Sequence, residues 1–300
     1  MSAVQSLRTA VDALSRNTVL FLGGLVYALV VLPQRALQLA AVPLAPAAVQ
    51  LLTFFVTPFV VAGVVGMARE ALDGEASLGT LSAVGKRRYV DLLLATLVEF
   101  GIQLAFGVVF VVLALVTVVA GGGSAGPVAI GGAALVVLLA LAYLLVLFLV
   151  QFYPVIVVVD DAGPVDAVSG SVSFVRSNVV STLGYSLITV VLGGLAALPV
   201  SGFAVYRFLT SGPGAAPGDA PGPIGGGMSP GGPGAGGTPG MGELFAGGGG
   251  LGLSTPEVVA LSLVSAATTA LFFAFRHTYA TAFYQRHGRS VEERVLDDDW

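Results

Sequence analysis

The sequence predicts an all-α integral membrane protein with about six transmembrane helices, and three observations favour this fold class. Hydrophobic residues make up 56% of the 300 residues. Charged residues make up only 10%, against roughly a quarter in soluble proteins. The mean hydropathy is +0.93, and about six apolar runs reach the ~20 residues that a bilayer-spanning helix needs. The composition therefore excludes a soluble globular domain.

The crossings are read from the apolar runs. The first is expected to end near Pro33 and the fifth at Pro199, because proline interrupts the hydrogen bonding of a helix. The third and fourth exceed the usual bilayer thickness, so they tilt or protrude. In order, the predicted crossings cover residues 18–32, 47–67, 92–120, 127–159, 179–198 and 256–283. A signal peptide is the alternative for the first run, but its basic region would be long and already helical.

Three shorter segments carry apolar residues on one side and polar residues on the other, as helices on a membrane surface do. They cover residues 1–17, 78–91 and 164–178, and the second ends in the basic run Lys86, Arg87 and Arg88. The first has an apolar stripe of Val4, Leu7, Val11 and Leu14. The third has a stripe of Val165, Val168, Val172 and Val175, opposite Asp166, Ser169, Ser173 and Arg176. We therefore predict cytoplasmic amphipathic surface helices beside the crossings.

The third surface helix is bounded by residues that we name the inner-face turn motif, with Asp160, Asp161, Gly163 and Pro164 before it and Asn178 after it. Proline is favoured at the first helical position, and a preceding aspartate is expected to cap the N–H groups of the first turn. The acidic group also includes Asp166, and its alternative role is to attract a cation. Capping by solvated carboxylates is the simpler interpretation.

The order of one surface helix and two crossings recurs about three times, which favours an internal repeat of helix hairpins. Residues 4–23 align without gaps with residues 165–184, so that Asn17 falls opposite Asn178. The middle copy matches more weakly, through Leu78, Leu81 and Asp91. The alternative is that unrelated surface helices entering a bilayer look alike.

Residues 1–300 are read as a single transmembrane bundle domain. Residues 211–254 consist largely of Gly, Pro and Ala, and such a composition cannot bury enough apolar surface to offset its ordering entropy. We expect this segment to be a disordered external loop inserted in the last copy. Residues 288–300 are expected to form a cytoplasmic tail.

The distribution of basic residues predicts the orientation. Of the 13 lysines and arginines, all but Arg35 and Arg207 fall on one side of the predicted bilayer. This asymmetry predicts cytoplasmic termini for a multi-pass protein of the cell membrane. The tyrosines expected as aromatic anchors at the inner interface are Tyr89, Tyr153, Tyr279 and Tyr284. The net charge of −4 with few lysines suits a salt-adapted cell.

Several function classes find no support in the motifs. The chain has no cysteine and only two histidines, His277 and His287, so we expect no disulfide, metal site or cofactor. The basic residues form no patch for nucleic acid. Gly122–Gly126 matches G-x-S-x-G but lacks the strand-to-helix elbow of that motif. Ser124 and His277 would lie most of a ~30 Å bilayer apart, too far for a nucleophile and its base. No enzymatic activity is expected.

Glu99 and Arg276 are the charged residues nearest the hydrocarbon core, where charges are candidates for a functional site. Counting about 20 residues from the outer ends of their crossings places both at similar depths near the inner leaflet. We predict an intramembrane polar pair if the two helices touch. The alternative is that Arg276 extends to the interface alone. Gln103 and Gln151 are expected to bridge helices, with a polar path as the alternative.

One stretch resembles a known family through Phe152–Pro154, Asp161–Pro164, Ala167, Ser171 and Arg176–Asn178. It is similar to a recurrent stretch of uncharacterised archaeal and bacterial membrane proteins that resemble the membrane domain of glycerophosphodiester phosphodiesterases. The resemblance implies a helical bundle of about six crossings over nearly the whole chain, without an established activity. Ser169 and Gly170 stand where these relatives usually carry basic residues. We expect no soluble phosphodiesterase domain after Trp300, so the catalytic part of the association is not carried over.

The sequence favours a non-catalytic membrane protein that acts as a scaffold or regulatory partner in the cell envelope. Its surface helices would form a cytoplasmic platform for an unknown membrane-protein partner, and the lipid bilayer is the other expected partner. A transporter or channel for a small solute or lipid is the alternative, since internal repeats often frame a site at the bilayer midplane. An intramembrane enzyme is the least favoured class, because no catalytic constellation is present.

Overall fold

The computed structural model describes residues 3–40, 44–121, 126–210 and 255–297. Regular structure in these ranges is helical throughout, which confirms the predicted all-α fold class. Six spans within them are long and apolar enough to cross a membrane, so the chain is a multi-helical membrane protein. The helices are α1 Ala3–Arg16, α2 Val19–Leu39, α3 Ala45–Asp73, α4 Leu78–Gly121, α5 Pro127–Val150, α6 Tyr153–Val159, α7 Pro164–Ser177, α8 Val179–Thr210 and α9 Thr255–Asp297. The predicted external loop at 211–254 lies outside the described residues.

The helices fall into three units, α1–α2–α3, α4–α5–α6 and α7–α8–α9. The first and third consist of a surface helix and two crossings, whereas in the second α4 is one long helix and α5 and α6 together make up one crossing. Each unit begins with an element that packs against the membrane helices of another unit. α7 packs on α4, α5 and α6, and the first turns of α4 pack on α3. α1 packs chiefly on α9, with further contacts to α3 and α8. The hydroxyl of Tyr279 in α9 donates a 3.0 Å hydrogen bond to the carbonyl of Ala3 in α1. The three units therefore follow one another in a closed ring.

The second surface segment is not a separate helix, and this expectation is wrong. α4 runs without interruption from Leu78 to Gly121, because the sequence offers no proline or helix cap at Asp91. The apolar side of its first turns is buried against α3. A Cβ added at Gly63 would lie 2.5 Å from the carbonyl oxygen of Leu81, so only glycine permits this approach. The amphipathic pattern of 78–91 thus reflects helix packing.

Three predicted boundaries differ from the structure. α2 passes Pro33 and continues to Leu39, and α8 passes Pro199 and continues to Thr210. Proline is tolerated inside membrane helices when the surroundings compensate for the lost hydrogen bond. α9 continues to Asp297, so helix extends into the segment predicted as a tail.

Asn17 and Asn178 occupy equivalent positions after α1 and α7. In each, the side-chain amide donates to the carbonyl four residues earlier, at 3.2 Å to Ala13 and 3.1 Å to Phe174. The amide oxygen of Asn17 also accepts from the backbone N–H of Ala76 at 2.9 Å. The same side chain therefore ends the surface helix in the first and third units and precedes the turn into a crossing.

The buried faces of the surface helices α1 and α7 are rotated about the helix axis relative to the predicted apolar stripes. The buried residues of α1 are mostly small, and they are Ala3, Ser6, Ala10, Ala13 and Leu14. Val4 and Val11, by contrast, are 56% and 49% exposed. In α7 the buried residues are Ala167, Ser171, Phe174 and Val175, and Val165 is exposed. Small side chains let a surface helix approach the bundle closely, so the larger valines remain outside.

We call the end of the bundle that carries α1 and α7 the inner face. An aromatic cluster fills the core there, between α6, α7, α8 and α9. The ring of Phe152 lies 5.1 Å from that of Tyr185 and 5.6 Å from that of Phe283, and Tyr185 lies 4.6 Å from Tyr279. Tyr279 is fully buried and Tyr153 nearly so. The expectation that these two tyrosines anchor the bundle at the lipid interface is therefore wrong.

Candidate functional site

The fourth crossing is broken between α5 and α6. α5 ends at Val150 and α6 begins at Tyr153, with Gln151 and Phe152 in a turn between them. Pro154 causes the break, because it has no N–H to donate and its ring displaces the carbonyl four residues earlier. In a membrane the backbone groups released in this way require other partners.

Ser171 of α7 supplies these partners. Its hydroxyl oxygen accepts the backbone N–H of Phe152 at 3.0 Å and donates its hydrogen to the carbonyl of Leu149 at 2.8 Å. Gln151 adds a second connection, since its amide oxygen accepts a hydrogen bond of 3.1 Å from the hydroxyl of Ser186 in α8. This bond confirms the expected bridging role of Gln151. The break is thereby fixed by α7 and α8.

The break places Tyr153 against Glu99 of α4. The tyrosine hydroxyl donates a hydrogen bond of 2.7 Å to one carboxylate oxygen of Glu99. The amide of Gln103, one turn along the same helix, donates to the other oxygen at 3.2 Å. The hydroxyl of Thr96 lies 3.3 Å from that of Tyr153. Only 3% of Glu99 is exposed, so the carboxylate is held inside the bundle by neighbouring donors.

Arg276 of α9 lies on the other side of this group. Its guanidinium lies beside the hydroxyl of Tyr185 in α8 and within electrostatic range of Glu99 and Tyr153. Arg276 is half-buried, whereas Glu99 is buried. The structure thus brings the two predicted charges into one polar site, to which α4, α6, α8 and α9 contribute. Whether they function as a pair stays a prediction.

A small cavity adjoins the carboxylate. Its volume is about 10 Å³, which is room for about one water molecule. Its lining residues come from α3, α4 and α6, and they are Thr57, Pro58, Val61, Leu92, Thr96, Glu99, Tyr153 and Pro154. The hydroxyl and carboxylate groups among these residues are hydrogen-bond partners suited to water.

Asp160, Asp161, Gly163 and Pro164 of the inner-face turn motif lie at the connection between α6 and α7, but not in the expected manner. Gly163 is the N-cap residue of α7, and no side chain caps this helix. Asp160 instead accepts a hydrogen bond from the hydroxyl of Tyr284, and Asp161 forms an ion pair with Arg88 of α4. The expectation that aspartates cap α7 is therefore wrong. Their carboxylates hold α9 and α4 against the turn.

A groove of about 580 Å³ opens beside this turn on the inner face. It is bordered by charged residues of both signs, namely Arg69, Glu70, Asp73, Glu75, Arg87 and Asp161, together with Gly66, Gly74, Thr80, Val84 and Val158. Arg69 donates a hydrogen bond of 3.1 Å to the carbonyl of Val159 and so ties α3 to the end of α6. The groove therefore lies between the inner ends of α3, α4 and α6.

Other residues singled out from the sequence do not combine into a site. His277 is buried and packs against Phe273, with ring centroids 4.4 Å apart. Ser124 lies outside the described residues. Within the described ranges no group of three His, Cys, Asp or Glu side chains is placed to hold a metal ion. Sequence reasoning missed the structural roles of Tyr153, Ser171 and Tyr185, and it also missed the break at Pro154, since it predicted a continuous crossing over residues 127–159.

The family of the chain is defined by one comparison. A family model described as a domain of unknown function, DUF7847, matches residues 1–287, and the chain therefore belongs to that family. No curated protein and no solved structure matches it.

Proposed function

For this member of the DUF7847 family we propose a non-catalytic role as a membrane scaffold or regulatory partner in the cell envelope. The charged groove of about 580 Å³ on the inner face carries the proposal. Its exposed rim includes Asp73 and Glu75 at the end of α3 and Arg87 on α4. Charges of both signs on a rim steer a partner and fix its register more than they add affinity.

The membrane-embedded part of the structure supports a structural role. Around Glu99 the polar side chains bond one another, and the adjoining cavity has room for about one water molecule. The bond between Tyr153 and Glu99 fixes the relative positions of α6 and α4, and the inner ends of both helices border the groove.

The resemblance to the membrane domain of glycerophosphodiester phosphodiesterases stays part of this proposal. Of the residues that carry the resemblance, Phe152, Pro154 and Ser171 form the break in the fourth crossing and its hydrogen bonds. Asp161 belongs to the adjoining turn and to the rim of the groove. The shared motif thus has a structural explanation in this chain, which requires no hydrolytic chemistry.

Photo-crosslinking in native membranes tests the scaffold role. A benzophenone side chain is placed at Arg87 or Asp73 in the groove, and at Asp12 on the exposed side of α1 as a matched inner-face control. We expect one adduct of constant mass from both groove positions and none from Asp12. The charge reversal Glu75→Lys should reduce that adduct. Equal adducts at Asp12, or none anywhere, would contradict the scaffold role.

Transport of a small solute or lipid is the second candidate, and the broken fourth crossing favours it. Discontinuous helices beside a charged residue are the usual construction of transporter binding sites. Because the chain has no cysteine, single substitutions Gln103→Cys and Ser186→Cys report the access of water to the site. A transporter should expose these positions to impermeant thiol reagents from each side in turn. Labelling from neither side would contradict transport of a hydrophilic solute.

A further inference from the structure

The polar side chains that line the cavity beside Glu99 all end in oxygen. They are the hydroxyls of Thr57 on α3, Thr96 on α4 and Tyr153 on α6, together with the carboxylate of Glu99 itself. Among the described residues that line the cavity none is basic, and Arg276, although within electrostatic range of Glu99, is not one of them. The cavity therefore offers oxygen ligands and, when Glu99 is ionised, one negative charge.

Two of these hydroxyl groups have already used their hydrogen. Thr96 donates to the carbonyl of Leu92 at 2.8 Å, and Tyr153 donates to Glu99 at 2.7 Å. A hydroxyl has one hydrogen and two lone pairs, so the 3.3 Å contact between the oxygens of Thr96 and Tyr153 has no hydrogen of its own. Both oxygens are left with lone pairs, which attract a cation.

Thr57 adds a hydroxyl without a partner. The residue is buried, with 8% of its surface exposed, and it forms no hydrogen bond with the described part of the chain. Other buried threonines of the crossings donate to the carbonyl four residues earlier, as Thr96 and Thr278 do. A buried hydroxyl without a partner costs free energy, and a ligand in the cavity would remove that cost.

The cavity lies about one helical turn deeper in the bundle than the charged groove of the inner face. Both are lined by α3, α4 and α6, and on each helix the two sets of lining residues come within four or five positions, or about 6–7.5 Å. These neighbours are Val61 and Gly66 on α3, Leu92 and Arg87 on α4, and Pro154 and Val158 on α6. The groove has four carboxylates and two guanidinium groups, so it concentrates cations near the cavity.

We propose that the cavity binds one sodium ion, held by the carboxylate of Glu99 and the hydroxyl oxygens of Thr57, Thr96 and Tyr153. Oxygen ligands suit hard cations, and one carboxylate balances a single positive charge. Magnesium usually keeps several waters, for which the cavity has no room. Calcium takes about six to eight oxygen ligands, more than these four groups supply. Potassium is larger than sodium, so the small volume favours sodium.

Binding of radioactive sodium to the purified full chain in lipid nanodiscs, measured by scintillation proximity, tests the proposal. Thr57→Val removes one ligand without breaking a hydrogen bond, and Glu99→Gln removes the charge. The matched control is Thr182→Val on α8. Thr182 is also buried with an unpartnered hydroxyl, but it does not line the cavity. Thermal unfolding shows whether each variant is folded.

We expect about one sodium ion per chain at saturation in the parent and in Thr182→Val. The affinity should fall at least about tenfold in Thr57→Val, since even the outer partners of metal ligands contribute about 10–100-fold, and binding should be lost in Glu99→Gln. Excess unlabelled sodium chloride should displace the label, and equimolar potassium chloride should not. The absence of binding to the parent would show that the cavity holds only water. That result, unchanged affinity in folded Thr57→Val, or equal displacement by potassium would each overturn the proposal.

Discussion

The hydroxyl of Ser171 bonds the backbone N–H of Phe152 at 3.0 Å, so a helix on the inner face completes the hydrogen bonding of a broken membrane crossing. The two residues are 19 positions apart, and both are fully buried. The same hydroxyl also reaches the carbonyl of Leu149. α7 therefore supplies hydrogen bonds that the backbone of the fourth crossing lacks, although α7 itself lies outside that crossing.

Replacing Ser171 by alanine should destabilise the bundle by about 1–3 kcal/mol, because the N–H of Phe152 and the carbonyl of Leu149 lose their partner inside the protein. Ser173→Ala on the exposed side of α7 is the matched control and should change little. Denaturant unfolding in lipid nanodiscs measures both. Equal effects of the two substitutions would mean that water or a rearranged backbone provides the hydrogen-bond partners of Phe152 and Leu149 when the Ser171 hydroxyl is absent.

Tyr153→Phe removes the 2.7 Å hydrogen bond to Glu99 while it keeps the ring that packs inside the bundle. Hydrogen bonds to charged groups contribute about 1.5–3 kcal/mol, so a loss of unfolding free energy in this range is expected. Tyr89→Phe is the comparison, since that hydroxyl bonds the carbonyl of Phe55 at an exposed site. A smaller loss for Tyr153→Phe than for Tyr89→Phe would contradict a structural role of the buried bond.

Glu99→Gln, Arg276→Gln and the double variant form a cycle that tests the predicted polar pair. Loss of one partner leaves the other charge partly buried, so each single substitution should destabilise. The double variant should lose less than the sum, with a coupling of about 0.5–3 kcal/mol. The cycle requires the unfolding free energies of the parent, the two single variants and the double variant, all measured in nanodiscs. Additive losses would show two independent charges.

Asp161 adopts a left-handed backbone conformation, with φ of 56°. Both Asp161→Gly and Asp161→Ala remove its ion pair with Arg88, so their difference isolates the backbone term. The glycine variant should be the more stable of the two by about 1 kcal/mol, because a Cβ is disfavoured in this conformation. Thermal unfolding of the two purified variants compares them. A more stable alanine variant would show that the turn changes conformation once the carboxylate is lost.

The predicted orientation places the inner face in the cytoplasm. Single cysteines at Asp12 on α1 and Leu44 between α2 and α3 sample opposite ends of the bundle, and both residues are exposed. An impermeant maleimide added to intact cells should label Leu44→Cys and spare Asp12→Cys. The opposite labelling pattern would invert the orientation.

The crossings could be predicted because the hydrophobicity of a segment is a local property. Pro154 does not mark the break from the sequence alone, because the helices continue through Pro33 and Pro199. The partner of that break could not be predicted, since only the packing of α7 brings Ser171 to Phe152. For the same reason Tyr153 reads as an interfacial anchor until the break turns it toward Glu99.

Residues 78–91 illustrate a different difficulty. A helix with one apolar side looks the same whether that side faces lipid or another helix. The close approach of Gly63 to Leu81 shows that it faces α3, but nothing in residues 78–91 indicates that partner. Counting residues along each crossing places Glu99 and Arg276 at a similar depth in the bilayer. The contacts around them could not be predicted in this way, because they depend on how four helices pack.

The ring of units has a consequence for biosynthesis. α1 leaves the ribosome before α9, yet Tyr279 of α9 bonds Ala3 of α1. α1 therefore completes its docking only after α9 is inserted, and its exposed Val4 and Val11 give it an apolar side that can lie on the lipid surface until then. A chain truncated before Tyr279 would leave α1 without its main packing partner α9, and quality-control proteases would have access to the free helix.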